Sequence, residues 1–191
     1  MSLIWPSQRI DAAIADGIIV ASTPVERDQV QPASLDLRLG PRAYRLPASF
    51  LPGPGRRVAD RLADLSTHGV DLTAPKGLER NGVHIIPLVE TLALPPGVAA
   101  RANPKSSSGR LDIFVRIIID GGATFDDIPE SYQGPLYAEV VPRSFPVIAA
   151  AGSRLAQLRF RQLSARPFGG PRLVPVTIDL DPIGKPDGIV G

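Results

Sequence analysis

Proline and glycine punctuate this sequence so densely that many short elements are expected rather than long helices and strands. There are 21 prolines and 18 glycines among 191 residues, well above ordinary usage. Proline ends helices and is kept out of central strands, so the chain must be built from many short elements. What lies between the breaks is mostly alternating or continuous apolar runs: "SLDLRLG", "VHIIPLV", "LALPPGVAARA", "DIFVRIII", "PLYAEVV", "FPVIAA", "RLAQLRF" and "RLVPVTIDL". Short strands at this spacing with turn signals between them predict a mainly β barrel or sandwich.

Two helices are expected at the front. The first follows Pro6, with Ser7 as its cap, Ile10, Ala13 and Ile14 on one face, and Gly17 as its end. The second, in "RRVADRLADLSTHG", places Val58, Leu62 and Leu65 on one face, with Gly69 as its stop. "LPASFLPGPGRR" reads as a surface loop. One domain over residues 1–170 accounts for these signals. The remainder, 171–191, reads as a tail or as a linker into further sequence.

Charge and cysteine content narrow the function classes. Basic and acidic residues nearly balance at a net +2, and no lysine or arginine block suggests a nucleic-acid tail. A local anionic ligand fits this balance. With no cysteine there is no disulfide and no thiolate chemistry. No apolar run approaches the ~18 residues of a membrane span, and "MSLIWPSQRID" lacks a signal-peptide core. The expectation is a soluble, cytoplasmic protein that binds neither nucleic acid nor membrane.

Four stretches carry candidate chemistry. "NPKSSSGRL", Asn103 to Leu111, is all hydrogen-bond donors and positive charge. Hydroxyls and backbone N–H groups in such a turn can cradle an anion, although a solvated turn is the plainer alternative. It does not match the P-loop spacing. In "SYQGPLYAEVV", a strand from Leu136 puts Leu136, Ala138 and Val140 on one face and Tyr137, Glu139 and Val141 on the other. A half-buried strand glutamate is unusual and suits a general base; an exposed edge-strand glutamate is the alternative. "GSRLAQLRF" reads as a hairpin return strand. "QPASLDLRLG" sets Asp36 among leucines. His68 and His84, without cysteine, match no zinc-ligand spacing.

In this order the four stretches resemble the dCTP deaminase branch of the dUTPase-like superfamily. "QPASLDLRLG" is similar to its front signature and "KSSSGRLDIF" to its [RK]-S-S-x-x-R motif. "YQGPLYAEV" is similar to the stretch with its catalytic glutamate, and "GSRLAQLRF" to its last core strand. The resemblance implies a distorted dUTPase-like β-barrel that assembles as a trimer with shared sites. It also implies hydrolytic deamination of dCTP to dUTP and ammonia, with magnesium on the triphosphate and no zinc.

Carried over by residue, Glu139 is the general base and acid, and Ser106 and Arg110 hold the water and the glutamate. Lys105, Ser106 and Ser107 bind phosphate, with Lys105 where the family usually has arginine. Tyr132, Gln157 and either Asp126 or Asp127 bind sugar and base. The segment "DGGATFDDIPES" is longer than the family's, which leaves the two aspartates open. Arg116 stands where the family often has histidine, and the usual C-terminal lid is not recognisable. The same resemblance leaves two other readings: a dUTP pyrophosphatase or bifunctional enzyme, and a non-catalytic half of a duplicated member.

Overall fold

The computed structural model describes residues 3–163. The strand expected over "RLVPVTIDL" and the tail at 171–191 lie outside them. In chain order the elements are β1 (Leu3–Ile4), α1 (Ser7–Ala15), β2 (Ile19–Ala21), β3 (Val30–Gln31), β4 (Ser34–Arg38), β5 (Arg42–Leu46), α2 (Val58–Leu65), β6 (His68–Asp71) and β7 (Lys76–Leu78). They continue as β8 (Val83–Ala93), β9 (Val98–Pro104), α3 (Ser106–Arg110), β10 (Ile113–Ile119), β11 (Asp127–Ile128), β12 (Gln133–Pro142), β13 (Val147–Ala149) and β14 (Arg154–Gln162). The fold is mainly β, with three short α-helices among the described residues where two were expected. The third is the "SSSGR" turn itself, closed by Gly109 N–H to Lys105 O and Leu111 N–H to Ser107 O.

Two antiparallel sheets carry the structure. One runs β11-β9-β14-β4-β3, with β1 added to β14. The other runs β10-β12-β8-β5-β6, with β2 added to β8. Their facing sides share one core, in which Leu35, Leu37, Leu158 and Phe160 meet Ile86, Ile117, Leu136 and Val140. The period-2 side-chain alternation of strands puts these residues inward, as "SLDLRLG" and "PLYAEVV" predict.

The second sheet is apolar on its other face too. There Leu46, Ile85, Ile118 and Tyr137 lie under Val58 and Leu62 of α2, with Phe50 and Leu51 packed against them. That is why "DIFVRIII" and "VHIIPLV" read as continuous apolar runs. The stretch "LPASFLPGPGRR" is indeed irregular, but its apolar members serve as cover for this face.

Several local expectations change. Ser7 is the first residue of α1 and makes no backbone cap; Pro6 holds the N-cap position. Gly17 does follow the helix with φ +72°. Helix α2 ends at Leu65, four residues before Gly69, because the chain there pairs with β5 (Tyr44 opposite Gly69). "LALPPGVAARA" is two strands, broken at Pro95-Pro96-Gly97.

Pro87 sits inside β8, which pairs with β12 on one side. On the other side it pairs with β5 at 83–85 and with β2 at 90–92. The proline thus falls where the neighbour changes, and opposite the register shift between Pro135 and Tyr137. The missing N–H is tolerated at such an irregularity.

Gly40 passes over Pro87 so closely that an added Cβ would stand 2.5 Å from its carbonyl oxygen, while Gly40 N–H donates to that oxygen. Gly40→Ala is therefore expected to destabilise the protein by about 1–3 kcal/mol, read from denaturant unfolding. An unchanged midpoint would show that the backbone yields there without strain.

Candidate active site

Glu139 is the only carboxylate that β12 contributes. It points away from the inter-sheet core, since Ala138 and Val140 on either side face inward, and it is 1% exposed. The strand is interior to its sheet, with Arg116 of β10 directly opposite Glu139 on one side and Ile85 of β8 on the other. The exposed edge-strand alternative therefore falls.

Arg116 donates to Glu139 Oε1 from both Nε (3.0 Å) and a terminal nitrogen (2.5 Å). That terminal nitrogen also donates to Ser49 Oγ at 2.9 Å. The guanidinium lies 3.5 Å from the centre of the Phe125 ring and 4.7 Å from that of Phe114, a cation–π placement on two rings. Glu139 Oε2 is buried and has no hydrogen-bond partner among the described residues.

A second buried glutamate supplies the contrast. Glu90 of β8 is fully buried, and both its oxygens are occupied. Oε1 accepts from Arg38 Nε (2.8 Å) and Gln29 Nε2 (3.0 Å), and Oε2 accepts from the Arg38 backbone N–H (2.8 Å). Each terminal nitrogen of Arg38 donates to a carbonyl, one to Pro24 and one to Thr23. This is a closed structural network. An unmet buried acceptor costs roughly 1–3 kcal/mol, more for a charged group, and native proteins keep few of them. Of the two buried glutamates, Glu139 is thus the one with an oxygen left unpaired.

The donor stretch lies elsewhere in the chain. Lys105 Nζ is ion-paired to Asp36 Oδ2. Ser108 is buried and donates to Leu155 O at 2.8 Å. Ser106, Ser107 and Arg110 are exposed, and among the described residues no hydrogen bond joins them to Glu139. A cleft of about 480 Å³ brings Pro104 and Gly109, at the two ends of this stretch, to the same opening as Arg116 and Asp126.

The remaining candidates divide between the sheets. Asp126 (φ +66°) accepts the Ile117 N–H at 2.8 Å. Burial pushes its carboxyl up, against the pull of that hydrogen bond and of the Arg116 charge. Asp127 pairs with Arg101 at 3.8 Å and lines a separate opening with Tyr132. Tyr132 is packed into the core; its hydroxyl donates to Pro135 O (2.6 Å) and accepts from Asp120 N–H (3.3 Å). Burial raises its pKa.

Gln157 Oε1 accepts from Ser34 Oγ at 2.9 Å, in the first sheet between Asp36 and Asn103. The sequence alone does not single out Ser49 or Phe125, and it marks Arg116 only as a departure from the family pattern. An arginine in the middle of an apolar strand was the available signal. Among the described residues no three His, Cys, Asp or Glu side chains converge on a metal position, and no helix is long and apolar enough to cross a membrane.

Comparison with known proteins gives a consistent result. The model of the N-terminal domain of 2'-deoxycytidine 5'-triphosphate deaminase matches residues 2–164. The dCTP deaminase of Halorubrum lacusprofundi is 31% identical over 165 residues, which is 82% of this chain and 77% of that one. A dUMP-forming dCTP deaminase of Beutenbergia cavernae is 30% identical over 176 residues, 87% of this chain and 85% of that one. The crystal structure of 2'-deoxycytidine 5'-triphosphate deaminase from Agrobacterium tumefaciens superposes with a TM-score of 0.82 at 52% identity. It covers 84% of this chain, which in turn spans only 48% of that longer one.

Proposed function

The chain belongs to the dCTP deaminase family, with its dUTPase-like fold, and from that membership we propose that it hydrolyses dCTP to dUTP and ammonia with Glu139 as general base and acid. The observation that carries this reading is the buried Glu139 carboxylate with one oxygen paired and the other unmet. Water hydrogen-bonded to Oε2 gives up a proton to it as its oxygen bonds to C4 of the cytosine. Glu139 delivers that proton to the ring nitrogen N3, which completes the addition. Glu139 then takes the proton of the new C4 hydroxyl and passes it to the exocyclic amine; the C4 carbonyl re-forms as the C4–N bond breaks and ammonia leaves.

Lys105, Ser106, Ser107 and Arg110 offer donors of the kind a triphosphate needs. The exposure of Ser106, Ser107 and Arg110 suits a nucleotide held mostly by a neighbouring subunit of a trimer. Magnesium would arrive on the triphosphate, whose oxygens suit it. The name of the Beutenbergia relative favours one added reading, in which dUTP is cleaved further to dUMP with Asp126 or Asp127 as the group that activates water.

The test is incubation with dCTP, dUTP or CTP and magnesium, resolving dUTP, dUMP, ammonia and pyrophosphate. Ammonia with dUTP supports a deaminase, and dUMP with pyrophosphate adds the second step. Absence of turnover, with nucleotide bound, would make the chain a binding module and defeat the proposal.

Site sharing makes a prediction of its own. Glu139→Gln and Ser106→Ala are each expected to be inactive alone. Mixing them should restore part of the activity once subunits exchange, because some interfaces then carry neither change. No recovery, with exchange verified by mass, would place Ser106 and Glu139 of one site on the same chain.

A further inference from the structure

We infer that Arg116 is a positioning residue for the deamination step, holding one oxygen of Glu139 so that the other alone meets the attacking water. The inference rests on the deaminase reading above. An arginine facing a carboxylate side-on ordinarily forms a fork, with two nitrogens on two oxygens. Here Nε and a terminal nitrogen both converge on Oε1, and Oε2 is left out although buried. The guanidinium has little freedom to re-form the fork. Phe125 and Phe114 lie against it at 3.5 and 4.7 Å, and Ser49 Oγ accepts from its end.

This arrangement also decides where a proton can sit. Arginine only donates and stays charged, so Oε1, facing two N–H groups, is a poor place for a proton. The proton taken from water must ride on Oε2 and is delivered from there. Arg116 touches neither water nor nucleotide in this account; it fixes the geometry and the protonated oxygen of the group that does. Misplacing a reacting group by about 1 Å can cost about 10²-fold in rate.

The test is steady-state deamination by the full chain and its variants, with thermal melts alongside. Arg116→Ala is expected to lower kcat by about 10²-fold with KM changed less than about threefold. Arg116→Lys, which keeps the charge but not the paired donors, should recover only part. Guanidinium ion at tens of millimolar should raise the activity of Arg116→Ala by about tenfold or more and leave Glu139→Gln unaffected, which a merely structural role would not produce.

A wild-type kcat in Arg116→Ala, a loss confined to KM, or no rescue would overturn the inference while the deaminase reading stood. A native chain that does not deaminate dCTP would overturn both. If Arg116→Ala does not fold, Ser49→Ala carries the test: a several-fold lower kcat at an unchanged melting temperature supports the role, and an unchanged kcat overturns it.

Discussion

Glu139→Gln is expected to fold, to bind dCTP, and to deaminate it about 10²–10⁴-fold more slowly, the range a general acid–base group contributes. The amide oxygen can still accept from Arg116 at the Oε1 position, so the pairing that orients the side chain survives. What changes is the other end. An amide NH2 at the Oε2 position donates and cannot take a proton from water. Arg116 keeps Ser49 and both aromatic rings, and at 26% side-chain exposure it can reach solvent, so the loss of its counter-charge is tolerable. Ammonia release measures turnover and calorimetric titration measures binding. Near-normal turnover would remove Glu139 from the mechanism, and loss of binding together with fold would make its role structural.

The largest effect on stability is expected at the other buried glutamate. Glu90→Ala should destabilise the fold by about 3–5 kcal/mol, because removing one partner strands the other as an uncompensated buried charge. Arg38 is 5% exposed at its side chain and Glu90 0%, and the other carboxylate near Arg38, that of Glu26, stands 3.9 Å away and is itself exposed. Gln29 Nε2 and the Arg38 backbone N–H lose their acceptors at the same time.

For a domain of this size, that loss lowers Tm by roughly 6–20 °C. Replacing both partners by apolar residues of similar volume, Arg38→Met with Glu90→Leu, should recover much of it. Denaturant unfolding reads both variants. A loss under about 1 kcal/mol in Glu90→Ala would show that the network is not what pins β4 to β8. The contrast with Glu139→Gln is the point: one glutamate is expected to govern stability and the other rate.

The sequence by itself determined which way side chains face. Period-2 alternation set Leu136, Ala138 and Val140 against Tyr137 and Glu139, and Leu35 and Leu37 against Asp36. The donor-rich stretch from Lys105 to Arg110 and the four ordered motifs were legible too, since each is a local string. Strands as short as β2, β6 and β7 were not legible, because three or four residues carry no period of their own. Nor was the end of α2, where pairing of Gly69 with Tyr44 overrode the local stop signal.

Only the tertiary structure decided which residues meet. A strand's sequence specifies its two faces but not its neighbour or register, and that register puts Arg116 opposite Glu139. The loop after β5 and the segment after β10 then close over the pair with Ser49 and Phe125, from positions 67 and 9 residues away in the chain from Arg116. Both glutamates are acidic residues in mostly apolar strands. Their difference lies in how many donors reach each oxygen, and those donors come from distant segments brought together by the packing of two sheets.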